Sequence, residues 1–310
     1  MGIVVFGAVF VDIKGYPYAQ YIAGGRNVGY VVQTHGGVSR NVAEDIANVE
    51  LRPTFISVVD NTGTSTDVID RLQRHKVNTD YIVRKDGGLG TWLAVFDNTG
   101  DVTASISQRP DLSPIAGVLE EHGDEIFANA DSIAVEIDID QHILKKIFAL
   151  ADKYGKKVFA VVSNMSIAME RRDLLRQCDC IICNEQEAGM LFSVEYENRT
   201  PEEFRDLLVS RIPKAGFRKM VVTLGDHGAV YASQDGESGI TPPQTVNVID
   251  TTGAGDAFFA GCAIGLTYGK TLGQSCDIGT RLAASVICTK ESVCPRFNPE
   301  EFDLHVNMEN

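Results

Sequence analysis

The sequence predicts an α/β fold in which helices cover both faces of a mostly parallel sheet. Four short runs, residues 3–10, 55–59, 158–162 and 220–224, are apolar without alternation, as strands buried on both faces must be. Between them lie helical stripes. The clearest is Ile143, Leu144, Ile147, Phe148 and Ala151, which share one face at helical spacing. Alternation of the two patterns over short connections points to crossover units and hence to a parallel sheet.

In chain order, the first run starts as Ile3-Val4-Val5-Phe6. No basic leader or small-residue cleavage site marks it, so it reads as a strand and not a signal peptide. Position 6 is Phe where an N-myristoylation signal wants Ser or Thr. Residues 12–36 break the rhythm, being polar, aromatic and glycine-rich with no helical period. Val42, Ile46 and Val49 then mark a buried helical stripe, and Ile69, Leu72 and Val77 a weaker one on a polar, surface-like helix. Residues 87–109 read as a hairpin, with 92–96 and 102–106 flanking a turn at Asp97-Asn98-Thr99-Gly100. Together 12–36 and 87–109 are expected to form strands set apart from the main sheet. They read equally as a lid over a ligand and as an edge paired with a second copy. Cys178-Asp179-Cys180-Ile181-Ile182-Cys183 lacks the paired spacing of a zinc site and reads as buried thiols on a strand. With seven cysteines, an odd count, the expected compartment is the reducing cytoplasm.

A chain of 310 residues with 44% hydrophobic and 23% charged residues can bury a core and is not disordered throughout. Its 42 acidic against 28 basic residues give a net charge of −14, which argues against nucleic-acid polymers and anionic membranes as partners. The longest uncharged apolar stretch, around residues 258–268, is too short to span a bilayer. A small phosphorylated ligand is not excluded.

The segment that carries chemistry is Asp250-Thr251-Thr252-Gly253-Ala254-Gly255-Asp256. A strand-like lead ends in a glycine loop, and a helix follows that is apolar all round, hence buried. Glycines at 253 and 255 let backbone amides converge at the helix N-terminus, whose partial positive charge suits an anion. Asp256 there has two readings. It either satisfies the helix start, or it is a base beside an anion hole, as phosphoryl transfer requires. Rival motifs fail: there is no G-x-x-x-x-G-K-[ST], and Gly253-Ala254-Gly255 lacks the third glycine of a dinucleotide fingerprint. A second glycine motif, Gly36-Gly37-Val38-Ser39-Arg40-Asn41-Val42-Ala43, places Asn41 on the first turn of a helix. Asn offers a donor and an acceptor together, apt for a sugar diol, although Asn near a helix start is more often a cap.

These two segments resemble the signatures of the ribokinase-like (PfkB) carbohydrate kinases. The resemblance runs through the whole chain in order, with Asn184-Glu185-Gln186-Glu187 similar to the family's N-x-x-E element. Val221-Val222-Thr223-Leu224-Gly225, followed by Gly228, is similar to its nucleotide-binding strand and loop. It implies one kinase domain over residues 1–310, a three-layer sandwich with a small β-sheet lid from about 12–36 and 87–109. It further implies ATP as phosphoryl donor, with Mg²⁺. Carried over by motif, Asp256 is the catalytic base, and the amides of Gly253, Ala254 and Gly255 form the anion hole. Asp12 binds sugar hydroxyls with Gly36, Gly37 and Asn41. Asn184 and Glu187 organise Mg²⁺, its waters and the phosphates, while Thr223, Gly225 and Gly228 flank the nucleotide with Gly253 and Gly255. Asp250 and Thr252 stand where many relatives ligate a monovalent cation such as K⁺.

Within the family, Val11-Asp12-Ile13-Lys14-Gly15, the Arg40-Asn41 pair and Phe96-Asp97-Asn98-Thr99-Gly100 look most like pseudouridine kinases. The expected reaction is ATP-dependent phosphorylation of the 5′-hydroxyl of pseudouridine. Ribose, fructose or another nucleoside is the alternative acceptor, and a non-catalytic ligand-binding relative a more distant one. Arg40 reads the base or is simply a surface residue. Glu136 and Asp138 point to the strand-end crevice where α/β folds bind ligands. One departure stands out: Ser163-Asn164 replaces the family's usual Asp-Pro or Asp-x-Asn. Relatives often pair through the lid, which implies a homodimer.

Overall fold

The computed structural model describes residues 2–162 and 164–304, so Ser163 lies outside the described residues. The first half of the chain runs β1 (Ile3–Phe6), β2 (Phe10–Pro17), β3 (Gly29–Gly36), α1 (Val38–Asn48), β4 (Thr54–Val59), α2 (Gly63–Arg74), β5 (Ile82–Arg84), β6 (Gly90–Phe96), β7 (Val102–Gln108), α3 (Ile115–Asn129), β8 (Ser132–Glu136), α4 (Gln141–Lys153) and β9 (Val158–Val161). The second half adds α5 (Met165–Glu170), α6 (Arg172–Leu175), β10 (Cys180–Asn184), α7 (Glu185–Phe192), α8 (Pro201–Ala215), β11 (Lys219–Thr223), β12 (Ala229–Ser233), β13 (Ser238–Thr241), α9 (Ala254–Thr267) and α10 (Leu272–Ile287).

Nine strands form the large sheet in the order β13-β12-β11-β10-β9-β8-β1-β4-β5. From β11 to β5 every pairing is parallel; β12 and β13 close one edge as an antiparallel meander. The apolar runs become central strands because alternate residues feed two cores. On β1, Val4 and Phe6 join the side covered by α3 to α8, while Ile3 and Val5 join the side covered by α1, α2, α9 and α10. The expected stripe of α4 is buried at all five positions, and Val68 and Leu72 bury α2 against the other face. Val77 is also buried, but it lies past the end of α2.

One strand expectation needs correction. The run over residues 3–10 is not one strand, because β1 stops at Phe6 and β2 starts at Phe10 in a different sheet. Gly7 is the break: a Cβ there would fall 1.9 Å from Ser39 Oγ and 2.5 Å from Glu136 Oε2, so α1 and β8 crowd the backbone at the strand end.

The small sheet has the order β3-β2-β6-β7, with β2 and β6 parallel and both outer pairings antiparallel. It takes its strands from within 12–36 and 87–109, plus Phe10 and Val11. Its outer strands are exposed almost throughout. Among the described residues no helix is long and apolar enough to cross a membrane. Cys178, Cys180 and Cys183 are buried in or beside β10, and loss of hydration pushes all three thiols upward.

Candidate active site

The site is built at the C-terminal ends of the parallel strands, where α9 begins. Gly253 precedes α9 at φ 83, a conformation that favours glycine, and a Cβ there would sit 2.0 Å from Ser292 O. No side chain caps this helix start. Asp256 lies in the first turn, yet its carboxylate turns away from the helix and accepts Asn41 Nδ2–H at 2.6 Å. The capping reading of Asp256 is thereby corrected, and that of Asn41 as well: Gly37 is the N-cap of α1, and Asn41 is four residues further on. The second amide atom of Asn41, Oδ1, is buried and has no partner among the described residues.

Asp256 is half-buried, and protein surrounds its carboxylate on most sides. Loss of hydration pushes its pKa up to about 6; the Asn41 hydrogen bond and the Arg40 charge oppose that rise, and the Asp12 carboxylate adds to it. A carboxylate poised there is ionised at neutral pH and still basic enough to take a hydroxyl proton. Ala254 N–H is turned back to Thr251 O at 3.2 Å, which leaves the following amides to lead the anion-facing end. Gly255 faces open space, with nothing within 4 Å of where its Cβ would be.

Gly36 and Gly37 bring the acceptor side together for two separate reasons. A Cβ on Gly36 would lie 2.6 Å from Asp12 Oδ1, so only glycine lets that carboxylate lie over the β3 end. Gly37 has φ 99 and would meet Ala8 O at 2.7 Å. Asp12 on β2 pairs with Thr34 and Trp92 in the small sheet, and burial raises its pKa despite nearby Lys14 and Arg40. Asp12, Gly36, Gly37, Asn41 and Asp256 therefore meet at the junction of the two sheets.

Two expected substrate residues are engaged with the protein itself. Arg40 is not at the surface: it is 1% exposed, pairs with Glu44 Oε2 at 2.6 Å and donates to Gly36 O at 3.4 Å. Glu44 also takes Arg71 Nε at 2.8 Å. Burial works against its charge, but Arg40 and Arg71 outweigh that and hold the carboxyl below its usual range. Glu136 Oε2 accepts Ala8 N–H at 3.1 Å and Ser39 Oγ–H at 2.9 Å, joining the β8 end to the turn after β1.

Across α9 lies a crevice of about 730 Å³. Asn184, Thr223, Gly225, Gly228 and Gly255 all line it, with Val246, Val248, Phe258, Ala283 and Ile287 as an apolar wall. Gly225 and Gly228 have φ of 58 and 84, and a Cβ on Gly228 would strike Thr241 O at 2.1 Å. Gly253 and Glu187 do not line the crevice directly. Asn184 caps α7: its Oδ1 accepts Glu187 N–H at 2.8 Å, and Glu187 Oε2 accepts Asn184 N–H at 2.8 Å. Burial raises the Glu187 pKa, so a cation nearby would restore the ionised form. Among the described residues no three acidic, His or Cys side chains form a metal cage. The side-chain oxygens of Asn184 and Glu187 are of the kind Mg²⁺ takes beside waters and phosphates. Asp250 Oδ1 accepts Thr252 N–H at 2.8 Å, fixing the turn ahead of Gly253. Asn164 caps α5 by accepting Ile167 N–H at 3.3 Å.

The polar face of α1 escaped the hydrophobic pattern. Asp45 Oδ1 accepts Cys294 N–H at 2.6 Å, and Asn48 Nδ2 donates to Cys294 O at 2.6 Å. Burial drives the Asp45 carboxyl well above its ordinary pKa. These contacts hold the segment that carries Ser292 against Gly253. Their signal in the sequence is Asn41, Asp45 and Asn48 at helical spacing, a polar stripe beside the apolar one.

Comparison with known proteins fits this geometry. The chain is 32% identical over 292 residues to a guanosine-inosine kinase of Exiguobacterium acetylicum, covering 94% of this chain and 95% of that protein. It is 27% identical over 263 residues to the pseudouridine kinase of Escherichia coli, covering 84% and 82%. A solved structure of Arabidopsis thaliana ribokinase complexed with ribose and ATP shares the fold, with a TM-score of 0.81 at 20% identity over 97% of both chains. With residues 2–297 matching the family model as well, the chain belongs to the pfkB family of carbohydrate kinases.

Proposed function

We propose that this kinase transfers the γ-phosphoryl group of ATP to the 5′-hydroxyl of a nucleoside, with Asp256 as general base. The observation that carries the mechanism is the Asp256 carboxylate, tied to Asn41 and not to its own helix, with a pKa of about 6. Asp12, Gly36, Gly37 and Asn41 hold the ribose, the free Oδ1 of Asn41 accepting from a hydroxyl. Asp256 takes the 5′-hydroxyl proton as that oxygen attacks the γ-phosphorus and the bond to the β-phosphate oxygen breaks, releasing ADP. The α9 amides from Gly255 onward face the charge that spreads over the transferred group. Thr223, Gly225 and Gly228 flank the nucleotide in the 730 Å³ crevice, whose apolar wall suits a base. Asn184 and Glu187 would hold Mg²⁺, which when bound would supply charge screening for the phosphates in a protein of net charge −14. Asp250 and Thr252 would hold a monovalent cation such as K⁺.

Both nucleoside-kinase relatives support a nucleoside acceptor, and the greater identity and coverage favour guanosine and inosine ahead of pseudouridine. The small sheet closes over the acceptor as a lid and expels water. Val31, Leu93 and Ile106 leave it apolar and exposed, which favours pairing with a second copy. A panel of guanosine, inosine, pseudouridine, uridine, adenosine, ribose and fructose with ATP tests the acceptor. Turnover of a free sugar with none of any nucleoside overturns it.

A further inference from the structure

A second cavity, of about 250 Å³, opens where β8 ends and the chain leaves β7 for α3. Phe10, Pro110 and Leu112 give it apolar walls, and Arg109, Glu136 and Asp138 polar ones. It adjoins the acceptor side, because Ala8 and Phe10, which bound it, also pack against Gly37. The Asp138 side chain is only 3% exposed, and one of its oxygens pairs with Arg109 Nη2. The other, Oδ1, is buried without a hydrogen-bond partner among the described residues. Desolvating a carboxylate oxygen with no donor is costly, so an N–H that reached this atom on ligand binding would remove that cost. The neighbouring acids are already committed: Asp140 caps α4 and Asp111 pairs with Lys85 at 2.6 Å. Arg109 is 46% exposed, and a guanidinium offers five N–H donors.

Resting on the nucleoside reading above, we infer that Asp138 and Arg109 read the acceptor's base. Asp138 Oδ1 accepts a ring N–H, Arg109 donates to the carbonyl beside it, and Phe10 packs on the ring. A ring N–H next to a carbonyl occurs in guanine, hypoxanthine and the uracil ring of pseudouridine. Adenine inverts the pattern: its N1 lone pair would face the carboxylate and its amino group the guanidinium. The site thus selects oxo bases by rejecting amino bases, since leaving buried polar groups unpaired discriminates far better than shape does.

Inosine and adenosine differ only in this pattern, so the ratio of their kcat/KM values is the readout. Wild type should prefer inosine by about 10²-fold or more. Asp138→Asn can present a donor to adenine N1, so inosine should fall about 10²-fold and the ratio should collapse toward one. Arg109→Met, at a half-exposed position, should lower inosine about tenfold and raise adenosine, because no guanidinium then opposes the adenine amino group, so the ratio falls. Melting temperatures separate misfolding from lost recognition, and Arg109→Met carries the test if Asp138→Asn does not fold. Wild type that turns over inosine, with an unchanged ratio in the variants, overturns this assignment alone, as does a wild-type preference for adenosine. Wild type that turns over ribose and no nucleoside overturns the nucleoside reading, and this assignment with it.

Discussion

On the proposed function, the two sides of α9 recognise by different means. The acceptor side gathers polar side chains, with Asn41 bonded to Asp256 and the Asp12 carboxylate near enough to raise the Asp256 pKa. The crevice beyond α9 combines glycine backbone and an apolar wall with a rim of polar side chains, among them Asn184, Gln186, Thr223, Gln244 and Thr280. On one side a single side chain sets the chemistry; on the other the shape of the backbone sets the fit. A substitution should therefore change turnover and acceptor use on the first side, and mainly ATP affinity on the second.

The sharpest way to break this contrast is Asp256→Asn. Asn41 can still donate to the amide oxygen, so the fold should persist while kcat falls by about 10²-fold or more. Kinetics beside a circular dichroism spectrum check it, and near-wild-type turnover would remove the mechanism. Next comes Asn41→Leu, which deletes both the bond to Asp256 and the free Oδ1. We expect kcat/KM for the acceptor to fall about tenfold or more. In wild type, kcat/KM should rise with pH to a plateau above about 6, as Asp256 ionises. The Asn41 bond lowers the Asp256 pKa, so its loss should move that acidic limb to higher pH. A limb that stays in place would mean the two side chains are not coupled.

The nucleotide side should answer differently. Gly255→Val meets nothing within 4 Å at its Cβ, so it should fold, but it narrows the crevice that Gly255 lines. KM for ATP should rise about tenfold, roughly 1.4 kcal/mol of binding, with KM for the nucleoside little changed. Equal changes in both constants would show that the two sides are not separable.

How well each side could be read from the sequence follows the same division. The crevice beyond α9 was legible in part because Gly225 and Gly228 stand at positive φ, which favours glycine, and such marks survive as motifs. The large sheet was legible because strands buried on both faces leave unbroken apolar runs. The acceptor side was legible only where a motif covers it. Arg40 reads equally as a surface residue because charge is usually solvated, and Glu44, Asp45 and Asn48 fall in no motif, yet all four are buried. Their partners, Arg71 and Cys294, are distant in the chain, and no local pattern announces such pairs. The end of β1 was misread for a similar reason. Gly7 breaks the run through contacts with Ser39 and Glu136 that exist only in the folded chain.

The smallest effect concerns stability, and it follows from the same carboxylate. Asp256 has its folded pKa raised from 3.8 to about 6, so the native state binds a proton that the unfolded state has already lost between those values. Native stability is therefore lost as pH rises through that window, and the cost is complete above about 6. Two pKa units correspond to at most about 3 kcal/mol, and partial access to solvent reduces it to on the order of 1–2 kcal/mol. Asp256→Asn never ionises and escapes the cost. The variant should melt close to wild type near pH 4 and a few degrees above it at pH 7 to 8, as is typical when a site's strain serves function. Melting curves across that range check the sign. A variant less stable at pH 8 than wild type would mean the ionised carboxylate stabilises the fold, and the raised pKa would have to be abandoned.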